Sequence, residues 1–202
     1  MNSSDLYRDV TSFAHSTPSW VQTASEVWTE YGLLVFGALF VAVWWRSRSR
    51  RDPRTVALAV LAAPVTALAY VVSEAAKSTV DQDRPCRAVT GAAVALIECP
   101  AYGDWSFPSN HSAIAGAAAV ALALAVRRLA LLTVPLALLM AFSRVFVGVH
   151  YPHDVAMGLL LGASLAALLV LALTGPTTRI VSAVRTSNVR AAVWFTGPGP
   201  AR

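Results

Sequence analysis

Lys77, Arg84 and Arg144 are basic, His111 and His150 are imidazoles, and Asp154 and the pair Ser109-Asn110 complete a set suited to work on an anion. Ammonium and guanidinium groups supply positive charge and fixed donors that match phosphate oxygens. Pro108-Ser109-Asn110-His111 precedes a long apolar run, the pattern of a helix start with Ser or Asn as cap. Pro152 fits the first turn of a second helix, which places His150 just before it. Two helix N-termini would then present backbone N–H groups to one anion. The positive end of a helix also disfavours imidazolium, which helps keep a histidine neutral for use as nucleophile or base. Asp154 lies four residues after His150, placed to hold its second ring nitrogen.

These residues need elements to bring them together, and the composition says which kind. The 202 residues are 56% hydrophobic and 13% charged. A soluble domain carries about 25% charged residues. That deficit excludes a disordered chain and argues against an ordinary soluble enzyme. The net charge of +5 does not point to nucleic acid, because the charges punctuate long apolar runs instead of forming a wet basic face. Of 16 basic residues, Lys77 alone is lysine.

Five stretches are apolar enough for membrane spans: Val27–Trp45, Thr55–Ala76, Ser109–Val126, Leu129–Val149 and Val155–Thr174. The expected fold class is all-α, a polytopic membrane helix bundle. Residues 1–26 lack a secretory-signal pattern and read as an N-terminal interfacial segment. Residues 27–174 form the membrane domain and 175–202 an Arg-bearing tail. One side of the spans collects 11 basic residues, from Arg46 to Arg202, against Asp52 alone; the remainder carries 5 basic and 10 acidic residues. The positive-inside rule places the Arg-rich side, with the C-terminus, in the cytoplasm and the N-terminus outside. Alternation then gathers Lys77, Arg84, Asp104, His111, Arg144, His150 and Asp154 at the outer face. Arg144, inside an apolar run, requires an anionic partner.

Blander readings exist for each group. Lys77 and Arg87 read equally as snorkelling anchors. His111, His150 and Asp154 could bind a metal, but the adjacent Arg and Lys would repel a cation, so no metal is expected. His153 reads as an interfacial histidine, His15 as a surface one, and Trp28, Trp44 and Trp45 as aromatic-belt residues. Cys86 and Cys99 share an outer, oxidising loop, where a disulfide is expected, worth about 3 kcal/mol at most. Pro64 and Pro135 should kink their spans. Gly158 and Gly162 make a small-residue face, read as packing within the bundle ahead of a homodimer contact.

Lys77-(six residues)-Arg84-Pro85, Pro108-Ser109-Asn110-His111 and Ser143-Arg144-(five residues)-His150-(three residues)-Asp154 together resemble the three-part signature of the type 2 phosphatidic acid phosphatase superfamily. The resemblance implies an integral-membrane lipid phosphatase without cofactor. In it Lys77, Arg84, Arg144, Ser109 and Asn110 bind phosphate and His150 attacks phosphorus to form a phosphohistidine. Asp154 orients His150, and His111 protonates the leaving oxygen and then activates water. Asn110 departs from the glycine usual in the family; Asn tolerates left-handed backbone best among non-glycine residues, so the turn survives. The implied partners are a lipid phosphate or pyrophosphate and membrane lipids, with undecaprenyl (polyprenyl) pyrophosphate at the outer face of a bacterial plasma membrane as first choice. Phosphatidic acid, phosphatidylglycerol phosphate and a polyprenyl-linked sugar phosphate are the alternatives. The rival class is a non-catalytic transporter or lipid-binding membrane protein. It would carry polar groups near the midplane, with internal repeats, and neither is apparent here.

Overall fold

The computed structural model describes residues 3–197, so Arg202 and the ends of both terminal segments lie outside the described residues. The described residues contain helices and no strand. The chain opens with α1 (Ser3–Ser16) and α2 (Ser19–Tyr31), followed by α3 (Leu33–Arg48). The stretch expected as one span from Val27 is therefore two helices, bent by 50° at Gly32. A Cβ at Gly32 would press into Met140 and Trp28, so the bend seats this backbone directly against its neighbours. Next comes α4 (Pro53–Lys77), begun by Asp52, whose side chain accepts from the Arg54 N–H at 2.9 Å. A short helix, α5 (Pro85–Ala88), lies in the loop before α6 (Asn110–Ala125). A 3₁₀ turn (Arg127–Leu129) leads into α7 (Ala130–Phe146), and α8 (Pro152–Arg185) and α9 (Arg190–Thr196) are the last elements of the described residues.

All five apolar stretches are helical, in a polytopic bundle. Three helices, α4, α7 with its preceding 3₁₀ turn, and α8, have the length and hydropathy of a membrane span; the bent α2–α3 pair makes a fourth, and α6 is a shorter apolar helix. Exposed Leu131, Leu138, Leu160 and Leu168 form part of the outer apolar surface such a bundle offers to lipid.

Helix α6 is the central element. Ala113, Ala115, Ala117, Ala118, Ala119 and Ala121 are all buried, and these small side chains let α4, α7 and α8 approach its backbone. Gly158 and Gly162 of α8 face the carbonyl oxygens of Ser109 and Ala113, and Gly116 of α6 faces that of Leu159. The small-residue face of α8 is thus occupied inside the bundle.

Helix α8 does not stop at Thr174. It runs on through Gly175 and Pro176 to Arg185, 34 residues in all, or about 51 Å. Thr178 donates to the Thr174 carbonyl at 2.7 Å, and Ser182 to that of Thr178 at 2.9 Å. The far end is latched: Arg185 donates to the carbonyls of Thr196 and Arg51, at 2.8 and 3.1 Å. Arg48 donates to the Trp194 carbonyl and lies 4.4 Å from that ring's centre. What reads as a tail from residue 175 is the last third of α8, packed through Val181 on Val56 and Ala57 of α4, followed by α9, which returns to Trp44 and Arg48 of α3.

Candidate active site

The C-terminal ends of α4 and α7 and the N-terminal ends of α6 and α8 lie at one end of the bundle, opposite the Arg-rich end. Four separate chain stretches meet there. Lys77 ends α4, and Arg84 stands immediately before α5, held as N-cap by Pro85. Both are buried, as is Arg144 in the last turn of α7.

Asp104 joins two of these cations. Its Oδ1 accepts from Lys77 Nζ and from Arg84 Nη2, each at 2.8 Å. Burial works to raise the Asp104 pKa, but the hydrogen bonds and charges of Lys77 and Arg84 outweigh it and hold the carboxyl below its ordinary value. Arg84 also donates through Nε to the Asp104 carbonyl at 2.8 Å and through Nη1 to the Val149 carbonyl at 3.0 Å.

His150 is enclosed almost completely. Its Nε2 lies 3.1 Å from Arg84 Nη1, and its Nδ1 lies 3.3 Å from Asp154 Oδ2. Arginine can only donate, so Nε2 accepts and the proton belongs on Nδ1, facing the carboxylate. That tautomer leaves the lone pair of Nε2 on the side of the cations. Burial pushes the His150 pKa down to about 4; the Asp154 hydrogen bond opposes this, and the charges of Arg144 and Arg84 add to it. The imidazole is therefore neutral at pH 7.

Asp154 is held from several directions. Its Oδ2 accepts from the Tyr151 N–H at 2.9 Å and from Ser106 Oγ. The His153 ring reaches its other oxygen, with Nε2 at 3.1 Å from Oδ1, while His153 Nδ1 meets Ser3 Oγ at 2.6 Å. His153, read as interfacial, thus touches the carboxylate that faces His150. Ser106 escaped sequence reasoning: its one cue is a small hydroxyl residue between Trp105 and Phe107, just ahead of the Pro108 turn.

Ser109 is the N-cap of α6, and its N–H donates to the Asp154 carbonyl at 3.1 Å, which ties the starts of α6 and α8 together. Its hydroxyl caps no backbone N–H and instead accepts from Ser112 Oγ at 3.2 Å. Asn110 adopts helical backbone, and no described non-glycine residue has positive φ. The left-handed turn that Asn was to tolerate is not present, so a side chain here meets no backbone strain. Asn110 uses that side chain to accept from Ser73 Oγ at 2.6 Å and to donate to Glu74. His111, one residue into α6, is half-buried within electrostatic reach of Arg144, His150, Lys77 and Arg84.

Among the described residues, Arg144 forms no ion pair with a carboxylate. Its Nη1 donates to Thr29 Oγ1 at 3.0 Å, and its buried Nε has no partner among the described residues. A buried guanidinium met by one hydroxyl retains charge and donors for an anion. The Cys86–Cys99 disulfide closes the loop that carries α5, and Arg87 donates to the Pro100 carbonyl within it.

The assembly is a buried cationic cluster of Lys77, Arg84 and Arg144 beside a neutral histidine whose far nitrogen faces a fixed carboxylate. Such a group can bind a phosphoryl oxygen set and deliver a nitrogen lone pair to phosphorus. A group of three or more His, Cys, Asp or Glu arranged to hold a metal ion is not found among the described residues.

The sequence pattern of the PAP2 superfamily matches residues 58–176. An undecaprenyl-diphosphatase of Sulfolobus acidocaldarius is 38% identical over 115 residues, 56% of this chain and 54% of that protein. The chain thus spans little more than half the length of that relative. The undecaprenyl-diphosphatase BcrC of Bacillus subtilis is 32% identical over 145 residues, 70% of this chain and 67% of its own. Among solved structures, Aquifex aeolicus LpxE superposes with a TM-score of 0.64 at 22% identity, covering 83% of this chain and 93% of its own, which shows a shared fold.

Proposed function

This chain belongs to the PAP2 superfamily, and on that footing we propose that it is an integral-membrane phosphatase that removes the terminal phosphate of undecaprenyl (polyprenyl) pyrophosphate. The observation that carries the reading is His150, with Nδ1 toward Asp154 and Nε2 toward Arg84, beside two further cations. The names of the two relatives favour a polyprenyl diphosphate.

In this reading Lys77, Arg84 and Arg144 hold the terminal phosphoryl oxygens, with Ser109 and the Asn110 backbone adding donors. His150 Nε2 attacks the terminal phosphorus in line. The bond to the bridging oxygen breaks, and polyprenyl phosphate leaves with a proton from His111. Asp154 steadies the charge that develops on the His150 ring. His111 then takes a proton from water, whose oxygen attacks phosphorus, breaks the P–N bond and frees orthophosphate. The cations stabilise the charge that grows on the equatorial oxygens. The Arg-rich ends of α3, α4 and α8 favour a cytoplasmic placement of that end, which puts the His150 site on the outer face, with the N-terminus outside and the C-terminus inside.

The test is phosphate release by the detergent-solubilised chain from undecaprenyl pyrophosphate, phosphatidic acid and phosphatidylglycerol phosphate under one condition with EDTA. The expected result is fastest release from undecaprenyl pyrophosphate, unaffected by chelator. His150→Ala should abolish it while the chain elutes as wild type; near-wild-type turnover would remove His150 from the mechanism. Loss of activity in EDTA would replace the cationic account with a metal-dependent one.

A further inference from the structure

The Asp104 carboxylate lies among the groups that would bind phosphate. One of its oxygens takes a donor from Lys77 and another from Arg84, each at 2.8 Å. The same guanidinium reaches His150 Nε2 at 3.1 Å through its other terminal nitrogen. A single planar group thus links the Asp104 oxygen to the nitrogen that would attack phosphorus. The two cationic side chains are 6% and 3% exposed, whereas that of Asp104 is 49% exposed, so the carboxylate enters from outside. It rides on a surface turn in which Tyr102 and Gly103 are exposed, and Gly103 has φ +94° with open space at its Cβ position.

A plain ion pair that merely steadies Arg84 is the competing account. It explains less, because Arg84 is already held by two backbone carbonyls, those of Asp104 and Val149, at 2.8 and 3.0 Å. Those anchors do not need the Asp104 side chain. A half-exposed pair also adds little to stability.

We propose that Asp104 is a specificity-determining residue, an internal anion that substrate must displace, and that it selects phosphomonoesters and diphosphates against phosphodiesters. The inference rests on the phosphatase reading of this site. Exchanging a carboxylate for a phosphodiester replaces one negative charge with one negative charge. It gains little from the cations, and ordinary membrane phospholipids are phosphodiesters of this kind. A monoester or a terminal diphosphate brings about two charges and three terminal oxygens, so its attraction to Lys77, Arg84 and Arg144 exceeds that of the carboxylate it replaces. Drawing the donors of Arg84 toward a phosphoryl group also weakens its hold on the His150 lone pair. Displacement and activation of the nucleophile are then one event.

The test uses the full chain in detergent at pH 7.5, with tungstate as an inert tetrahedral dianion and ligand-dependent thermal stabilisation as the readout. Asp104→Asn should bind tungstate about fivefold or more tighter than wild type. Adding phosphatidylglycerol to the micelles should weaken tungstate binding to the variant about threefold or more and leave wild type unchanged. Asp104→Ser, which also removes the charge, should behave alike and serves where the Asn variant does not fold. Equal or weaker tungstate binding by both variants overturns the displacement, and insensitivity of the tighter variants to phosphatidylglycerol overturns the selectivity. Hydrolysis by wild type alongside unchanged tungstate affinity in the variants sinks this inference alone. Absence of both hydrolysis and tungstate binding in every protein sinks the phosphatase reading with it.

Discussion

His150 is held neutral chiefly by its burial, and that has a pH signature. Its folded pKa of about 4 lies below the ordinary 6.5. As pH falls, the unfolded chain takes up the proton first, so the contribution to stability is full above 6.5 and declines as pH drops toward 4. The loss is on the order of 3 kcal/mol below that range. Thermal unfolding of the detergent-solubilised protein between pH 7.5 and 4 should show this decline, with a shallower one in His150→Gln. Identical pH slopes would contradict the burial argument. At this scale the sequence is informative where chemistry demands a residue type: Lys77, the sole lysine, Arg84, His150 and Asp154 are each visible as charges or imidazoles out of place in an apolar chain. Ser106 and Thr29 are not. A serine or threonine in such a chain reads as filler until the fold brings it to Asp154 or Arg144.

The helices are legible as apolar runs, but their ends and breaks are set by contacts. Gly32 divides the first run where its backbone lies against Met140 of α7, a neighbour that span counting does not see. The continuation of α8 past Gly175-Pro176 ends where Arg185 donates to the carbonyls of Thr196 and Arg51, contacts that hydropathy does not show. Asn110 shows the converse, a residue judged by its tolerance of a turn that the backbone does not make. The packing of α6 on α8 yields a sharp expectation. A Cβ added at Gly162 would overlap the Ala113 carbonyl, which is rigid backbone, so the helices must separate. Gly162→Ala should cost about 1–3 kcal/mol, read as a lower unfolding temperature. Gly175→Ala, where a Cβ meets open space, should leave the temperature unchanged or raise it. Equal effects at the two sites would refute the close-approach account.

For the whole molecule, the distribution of charge separates two ends. Lys77, Arg84, His111, His150 and Asp154 gather at one, and Arg46, Arg48, Arg50, Arg127, Arg128 and Arg185 at the other. An impermeant maleimide applied to intact cells should label Gly103→Cys and not Ser49→Cys; the reverse pattern would invert the proposed orientation. The native cysteines are paired and should stay silent unless reduced. The helical bundle is legible in the chain because hydropathy is a property of the sequence itself, whereas the meeting of four distant stretches is a property of the fold.

The Thr29 hydroxyl that meets Arg144 belongs to α2, outside the stretch 58–176 that defines the family in this chain. A truncation trimmed to that stretch would keep every signature residue and still strip from a buried guanidinium the one hydroxyl that meets it among the described residues. A shortened version meant to keep Arg144 as it stands should therefore retain the bent leading helix.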